Sequence, residues 1–398
     1  MVDLLSKGKE NCCGCGSCVL VCPKQAISME PQELGCLYPK IDHTMCVDCG
    51  LCQRSCAYQN SANQNSAAIS AYAAAANDTA LLRESASGGV FASVAKQILR
   101  EGGVVFGCSL EKVNGSLVPM HISIEREADL HKLQGSKYVQ SDLGNSLPRI
   151  RDLLAQKRVV LFSGTPCQVD ALRYYLLKAD TTGLFTIDII CHGVPSAELF
   201  GGYLAEMKAG EVESFRFRDK TLGWGLNAGY VSRDRHGHTK THLLPPGISS
   251  YYTYFLSGET YRESCYSCRY ACANRVGDIT IGDFWGIEQE HPELLKENGG
   301  KIDETKGVSS ILVNTEKGRK LLELCGEELR TMASIPEKVI KWNRQLRMPS
   351  SHTMVREELI RTYETDGYSG VERHFRKNLG IRYVVRKLRN VHNRKTAM

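Results

Sequence analysis

Short apolar runs alternate with helical stretches through most of the chain. Buried strands are predicted by the runs "ISAYAAAA", "GGVVFGC", "KRVVLFSG", "LFTIDII", "GDITIGDFWG" and "GVSSILVNT". Helices are predicted near Asp78, after "SASGG" to about Arg100, near 143–156 and in "TPCQVDALRYYLL". Strands that alternate with helices are typical of α/β folds, so we predict a mainly parallel α/β body.

The stretch from Val212 to Leu244 has a different pattern. Its segments "VESFRFRD", "NAGYVSRD" and "HTKTHLL" alternate polar and apolar residues around turns such as "RHGH". Such alternation indicates half-exposed strands, so we predict an antiparallel β insertion in the body. We expect substrate specificity to reside in this insertion.

Cysteine usage changes the picture at the N-terminus. Ten of the 17 cysteines lie before residue 57. No apolar signal segment precedes them and no apolar run is long enough to span a membrane, so we predict a cytoplasmic protein. Cysteines in a reducing compartment are expected to bind metal rather than to form disulfides.

The first 56 residues contain two cysteine runs with one spacing. The bacterial ferredoxin pattern has this spacing, and in it the fourth cysteine of each run binds the other cluster. The runs are Cys12-x2-Cys15-x2-Cys18-x3-Cys22-Pro23 and Cys46-x2-Cys49-x2-Cys52-x3-Cys56, with a period of 34 residues. One 4Fe–4S cluster is thus predicted on Cys12, Cys15, Cys18 and Cys56. A second is predicted on Cys46, Cys49, Cys52 and Cys22.

Residues 3–66 therefore resemble the two-cluster bacterial ferredoxin domain, an α+β unit in which "AISME" and "LYPKI" would supply a small sheet. A pair of zinc sites is the alternative, but zinc ribbons use two pairs of cysteines rather than two runs of four. Ala57 stands where the repeat predicts proline. We interpret Cys13 as a bystander in the first loop, and Cys36 as a partly exposed thiol that binds no metal.

A second group of cysteines lies late in the chain, in "CYSCRYAC". The spacing Cys265-x2-Cys268-x3-Cys272 reverses the x3–x2 order of radical-SAM motifs, so we set that class aside. Cys167 and Cys191 each follow a predicted strand. Ligands collect outside the carboxyl ends of parallel strands, so both are expected to face one crevice that the later loop could close.

Six segments carry a resemblance to a known family. They are "SASGG", "GSKYVQSDLG", "VLFSGTPCQ", "IDIICHGVPS", "CYSCRYA" and "GDITIGDFWG", in this order. Together they resemble the coenzyme F420 hydrogenase/dehydrogenase beta-subunit family over about residues 68–330. Its members are flavoproteins with a 4Fe–4S cluster near the flavin. The resemblance implies a third cluster on Cys167, Cys191, Cys265 and Cys268, with Cys272 left over or replacing one of the four.

The flavin site is less well defined by the sequence. No GxGxxG follows a strand, but Ser87, Gly88 and Gly89 precede a predicted helix, whose N-terminus could hold a phosphate or merely be capped. The resemblance implies FAD near this turn, near "GVSS" and near Gly135, Ser136, Lys137 and Tyr138. Lys137 would neutralise pyrophosphate and Tyr138 would pack on a ring. His192 is either a proton donor or structural, and Asp283, Phe284 and Trp285 either line the site or belong to the core.

These features predict an iron–sulfur flavoprotein oxidoreductase. A redox partner such as ferredoxin would reduce the N-terminal clusters, and the electrons would pass through the body cluster and FAD to an unidentified small-molecule substrate. The alternative is a non-catalytic electron-transfer subunit of a larger redox complex. Nucleic-acid binding is not expected, because the chain before Arg373 has 41 basic against 44 acidic residues.

We divide the chain into four predicted parts. These are a ferredoxin-type domain (3–66), two parts of the flavoprotein body (68–155 and 156–330) and a helical basic tail (331–398), with an Asn/Gln/Ser-rich linker at 57–68. The tail has nine Lys/Arg and no Asp/Glu from Arg373 onward. Ile381, Val384, Val385 and Leu388 have helical spacing, which predicts contact with an anionic membrane surface or a partner. A solvated basic end is the alternative.

Overall fold

The computed structural model describes residues 8–60, 67–207 and 210–380. Its first unit contains the helices α1 (Ser17–Leu20) and α2 (Leu51–Arg54) and an antiparallel pair of strands, β1 (Ile27–Pro31) and β2 (Leu37–Ile41). A glycine with positive φ precedes each helix, 73° at Gly16 and 67° at Gly50. Glycine tolerates this conformation, which turns the chain tightly between the second and third cysteines of each run.

The body follows as a succession of strands and helices. The strands are β3 (Ser70–Ala76), β4 (Val104–Val113), β5 (Ser116–Ile124), β6 (Val160–Gly164), β7 (Leu184–Ile189), β8 (Glu211–Arg216), β9 (Ala228–Arg233), β10 (Thr239–Leu244), β11 (Ile279–Asp283), β12 (Ser309–Val313) and β13 (Leu329–Ser334). The helices are α3 (Thr79–Glu84), α4 (Val90–Arg100), α5 (Ser146–Ala155), α6 (Pro166–Tyr175), α7 (Ala197–Glu206), α8 (Ser250–Leu256), α9 (Ile287–Glu290), α10 (Glu316–Cys325), α11 (Pro336–Trp342) and α12 (Val355–Leu379).

One large sheet has the strand order β13-β3-β12-β11-β7-β6-β4-β5. Its central strands β11, β7, β6 and β4 are parallel to one another, and β3 runs in the same direction. The strands β5, β12 and β13 run the other way. A separate antiparallel sheet has the order β10-β9-β8. The predicted fold class, a mainly parallel α/β body with an antiparallel insertion, is confirmed.

Helices cover both faces of the large sheet. Val105 and Leu161 pack with α4 and α10 on one face. Their neighbours Phe106 and Phe162 pack with α5 and α6 on the other. This alternation follows from the strand period of two, and it buries both faces as a parallel sheet requires.

The C-terminal part of the described chain belongs to the body. The strand β13, which the sequence analysis did not predict, pairs with β3 and carries the large sheet past the predicted boundary at residue 330. Helix α12 bends at Gly367 and packs against α7 and the insertion sheet. The predicted contacts of Ile381, Val384, Val385 and Leu388 lie outside the described residues. Within the described ranges, no helix has the length and apolar character needed to cross a bilayer.

The topology brings several of the predicted site residues to one end of the central strands. The neighbouring strands β6, β7 and β11 are parallel, so their carboxyl ends meet there. Cys167 follows β6, Cys191 and His192 follow β7, and Asp283 ends β11. In α/β proteins, ligands usually bind beside residues at the carboxyl ends of the strands.

Candidate iron–sulfur and flavin site

Four cysteines from distant parts of the chain line one cavity. Cys167, Cys191, Cys265 and Cys268 all contribute to its wall. Burial raises the pKa of Cys191, and the nearby thiols of Cys167 and Cys268 raise it further. We call this space the four-cysteine cavity. These four are the cysteines that the family resemblance implied as ligands, and a fifth cysteine, Cys13, also lines the cavity.

Hydrogen bonds and a buried salt bridge fix the residues that form the wall of the cavity. Cys167 lies in the first turn of α6, where Thr165 Oγ1 is 3.1 Å from its Sγ. Arg275, which follows the late cysteines, donates to Asp188 at 2.9 Å in a fully buried salt bridge. Asp188 also accepts from the backbone amide of Gly277 at 2.8 Å. The loop that carries Cys265 and Cys268 is thereby fixed to the end of β7.

Cys272 does not line the four-cysteine cavity. Its thiol instead donates to the backbone carbonyls of Asn274 at 3.2 Å and Arg269 at 3.5 Å. The thiol therefore caps its own turn. This geometry favours the interpretation in which Cys272 is left over.

The first ferredoxin loop, residues 12–18, lies against this cavity, and we call it the inner loop. Burial raises the pKa of Cys18, and the thiols of Cys15, Cys12 and Cys56 raise it further. The predicted ligands of the first cluster are therefore close together. Cys13, which we expected to be a bystander, is buried and lines the four-cysteine cavity. Its thiol forms hydrogen bonds with Cys15 and Cys167, and these raise its pKa.

The second ferredoxin loop, residues 46–52, faces solvent, and we call it the outer loop. Burial raises the pKa of Cys52, and Cys49 and Cys46 add to this. Cys22 lies after α1, where its Sγ accepts a hydrogen bond from the Ala26 amide at 3.3 Å. Within the described residues no three His, Cys, Asp or Glu side chains already form a metal-binding arrangement. We therefore group the cysteines by the cavity wall that they line together and by the thiols that raise one another's pKa.

The prediction that Cys36 is partly exposed is wrong. Its side chain is buried. It lies beneath the β1–β2 turn, within electrostatic reach of Arg262 and Arg356, and burial raises its pKa. The mixed sequence around it gave no sign that the body packs over this turn.

The predicted phosphate turn is tied to strand β12. The hydroxyl of Ser87 donates to the Val308 carbonyl at 2.9 Å, and the Gly88 amide donates to Ser309 Oγ at 2.9 Å. Gly89 precedes α4 with φ 82° and no side chain caps the helix. The turn therefore adjoins "GVSS", as the resemblance implied, but two of its polar groups are already used within the chain.

The segment from Gly135 to Tyr138 divides between two environments. Gly135 is exposed, and Ser136 hydrogen-bonds to Tyr138. Lys137 donates to the Gln134 carbonyl at 2.8 Å, and burial lowers its pKa to about 8. Tyr138 stacks on Phe255 with ring centroids 4.6 Å apart. Tyr138 therefore faces the site described next, whereas Lys137 caps its own loop.

A buried polar cluster beside the cavity was missed by the sequence analysis. Arg218 Nη1 donates to Asp283 Oδ2 at 2.8 Å and to the Tyr138 hydroxyl at 3.2 Å. Four buried polar atoms in the cluster have no partner in the described part of the chain. They are Arg218 Nε, Arg218 Nη2, Asp283 Oδ1 and Trp224 Nε1. The alternation of "FRFRD" places Arg218 on the face of the exposed Arg216, so nothing in the sequence indicated that Arg218 is buried.

This unsatisfied cluster extends to the predicted turn and to the cysteines. Lys220 donates to the Ser87 carbonyl at 2.7 Å, and burial lowers its pKa to about 8. His192 lines the four-cysteine cavity and lies close enough to Asp283 and Arg218 for both charges to affect its pKa. Trp285 packs on Trp224 with centroids 4.9 Å apart. Asp283 and Trp285 thus contact the unsatisfied cluster, and Phe284 is core.

Two family models match parts of the chain. Residues 11–60 match the model of the 4Fe-4S dicluster domain. Residues 157–337 match the model that describes the C terminus of the beta subunit of coenzyme F420 hydrogenase/dehydrogenase. No curated protein matches the chain.

Among solved structures, the chain is similar to a chain of the F420-reducing NiFe hydrogenase complex from Methanosarcina barkeri. The identity is 14%, the TM-score is 0.43, and the similarity covers 71% of this chain and 91% of that one. We infer nothing about function from a similarity of this degree. The two model matches assign residues 11–60 to the 4Fe-4S dicluster domain family and residues 157–337 to the family of C-terminal domains of coenzyme F420 hydrogenase/dehydrogenase beta subunits.

Proposed function

We propose that this protein is an iron–sulfur flavoprotein oxidoreductase with three 4Fe–4S clusters and FAD. The observation that carries the proposal is the four-cysteine cavity, which lies between the inner loop and the unsatisfied cluster around Arg218. The inner loop, the cavity and the cluster around Arg218 lie next to one another, which suits a relay of electrons along one buried path. The substrate is a small molecule that accepts or gives a hydride.

The residues of the cavity fit a cubane cluster. The cavity has five thiols, those of the four predicted ligands and of Cys13, and no Asp or Glu lines it; such a wall, fixed by Arg275 and Asp188, suits iron–sulfur ligation. Cys167, Cys191, Cys265 and Cys268 would hold this cluster, which would carry one electron at a time. The cysteines of the inner and outer loops would hold the other two.

The unsatisfied cluster fits a flavin. A buried donor or acceptor without a partner costs free energy, so the four orphaned atoms of Arg218, Asp283 and Trp224 call for a polar ligand. FAD would bring ring and phosphate groups that accept and donate such bonds, and it exchanges electrons singly with clusters and in pairs with substrates. Arg218 and Lys220 supply positive charge, and Asp283 supplies an acceptor.

Two other side chains of this site would orient Arg218 and exchange a proton with the substrate. The Tyr138 hydroxyl keeps Arg218 in place by accepting a hydrogen bond from Nη1. The imidazole of His192, an exposed residue between the cysteines and Asp283, is positioned to hold or release a proton. The connection from β8 to β9 supplies Arg218, Lys220 and Trp224, which supports the expectation that the insertion governs specificity.

The test is flavin content after anaerobic reconstitution, measured by absorbance of the released cofactor. We expect about one FAD per wild-type chain and at least a tenfold weaker retention in Arg218→Met, because a charged donor to the ligand is lost. Arg216→Met is the matched control, because Arg216 is two residues away and exposed, where it pairs with Glu84 at 2.6 Å.

The same experiment separates the proposal from its rival. Iron without flavin in the wild-type chain would contradict the proposal and favour an electron-transfer subunit. Flavin together with turnover of an artificial two-electron acceptor by the isolated chain would favour the enzyme.

A further inference from the structure

One buried arginine joins the ferredoxin unit to the four-cysteine cavity. Arg262 is 1% exposed, and its side chain lines the cavity. Its guanidinium also reaches the inner loop, where it donates to the Cys12 carbonyl at 3.2 Å. A Cβ atom on Gly14 would stand 2.3 Å from Nη2, so this loop leaves room for the guanidinium only because residue 14 is glycine.

All the hydrogen-bond partners of Arg262 are neutral. Nε donates to Gln140 Oε1 at 3.0 Å, and Nη2 donates to the Leu37 carbonyl at 2.6 Å. The ring of Tyr38 lies 4.5 Å from the guanidinium carbon. These contacts orient the positive charge, but they do not balance it.

The other buried arginines of the described chain each have a carboxylate. Arg218 pairs with Asp283, Arg275 with Asp188 and Arg356 with Glu263. Arg262 forms no such pair within residues 8–60, 67–207 and 210–380. A buried charge without a counter-charge is strongly unfavourable, so Arg262 requires an anionic partner.

The anionic candidates around Arg262 are the two cysteine sets, because the other thiol near it, that of Cys36, is buried and burial raises its pKa. Arg262 donates to the backbone carbonyl of Cys12 on the inner loop, and it lines the cavity together with Cys167 and Cys265. Metal-bound thiolates are anions, and cluster reduction adds a further negative charge. Arg262 stands where both clusters of the proposed function would present that charge.

We propose that Arg262 is the shared buried counter-charge of the inner-loop cluster and the four-cysteine cluster, and that it raises the reduction potential of both. The inference rests on the proposed function for the second of these clusters. A fixed positive charge in a medium of low dielectric favours the reduced, more negative state. Electrons entering from the outer loop would therefore be drawn inward.

Arg269 provides a matched control. It also docks the ferredoxin unit, since it donates to the carbonyls of Ala57 at 3.0 Å and Tyr58 at 3.2 Å. Its guanidinium lies 4.6 Å from the Tyr58 ring. Arg269 is exposed, so water screens its charge. The two arginines make similar docking contacts and differ in burial.

The experiment is an anaerobic redox titration followed by EPR, on reconstituted full-length protein. Cys265→Ala/Cys268→Ala identifies the signal of the body cluster by its loss. In Arg262→Gln we expect the reduced-to-oxidised ratio of the inner and body clusters at a fixed potential to fall on the order of tenfold, which is 59 mV for a one-electron couple. Arg262→Lys, which retains the charge, should restore most of this ratio. The outer cluster should not shift.

The outcomes separate the inference from the function on which it rests. Shifts in Arg262→Gln that exceed those in Arg269→Gln, with rescue by lysine, support a shared counter-charge. No shift, or equal shifts and equal iron loss in both glutamine variants, overturns it and leaves only a docking role. About eight irons in the wild type instead of about twelve would refute the body cluster, and with it the shared role, while the inner cluster could still be titrated.

Discussion

The inner and outer loops have the same cysteine spacing but opposite surroundings. The inner loop is packed against the body, with Cys13 buried and Cys15 in contact with the core beneath α5 and α6. In the outer loop Cys49 is exposed, and Val47, Leu51 and the preceding Met45 expose 56%, 38% and 48% of their surfaces. A sequence repeat has therefore been placed in two different dielectric environments.

The difference between the loops fits the proposed path of electrons, which enter at the exposed outer loop and pass through the inner loop to the body. An exposed loop with apolar side chains around it suits contact with a redox partner. A buried loop adjacent to Cys167 suits transfer into the body. The partner itself, for example a ferredoxin, stays a prediction.

The strongest way to break the comparison is to remove a ligand from each loop. Cys15→Ser and Cys49→Ser should each lose about four irons per chain. Only Cys15→Ser should also lower the thermal unfolding temperature, because Cys15 packs in the body and Cys49 is in solvent. Iron assays and circular dichroism under anaerobic conditions check this. Equal destabilisation in the two variants would contradict the asymmetry.

The wall opposite the inner loop is the next target. Arg275→Gln leaves Asp188 as an uncompensated buried charge, and breaking such a pair costs about 3–5 kcal/mol in the free energy of unfolding. Arg319→Gln is the control, since its salt bridges with Glu316 and Glu323 are exposed and about 0.5 kcal/mol each is expected. Urea unfolding compares them. A cost below that of the control would show that the wall is not held by this pair.

A smaller effect is expected at the outer surface. Val47→Ser/Leu51→Ser should slow reduction by a protein donor on the order of tenfold, because two exposed apolar contacts are lost. Reduction by dithionite and the unfolding temperature should stay unchanged. Ile335→Ser, which alters an equally exposed apolar residue on the body, is the control. Slower reduction by both reductants would indicate damage to the cluster instead of a lost contact.

The sequence predicted those parts of the fold that depend on local periodicity. Strands β3, β4, β6, β7, β11 and β12 and helices α4 to α6 lie where the patterns indicated, and the insertion is antiparallel. The strand β5 was missed although "SLVPMHISI" alternates, and β13 was missed because "LRTMAS" is short and half of its residues are polar. Both are outer strands of the sheet, where one neighbour suffices.

The site was predictable only where spacing carries information. Cysteine runs specify clusters, and strand ends specified Cys167 and Cys191. Cys13 was set aside because its contact with Cys167 joins positions 154 residues apart and leaves no local pattern. Arg218 and Arg262 are two of 50 basic residues, and only the fold reveals that both are buried. Their roles arise from long-range packing that no sequence period encodes.

The most direct measurement is iron per chain after anaerobic reconstitution. It compares wild type with Cys265→Ala/Cys268→Ala, and Cys272→Ala serves as the control because its thiol lies outside the cavity. The account predicts about twelve irons in the wild type and in the control, and about eight in the double variant. About eight irons in all three proteins would confine iron to the ferredoxin unit and contradict the relay through the body.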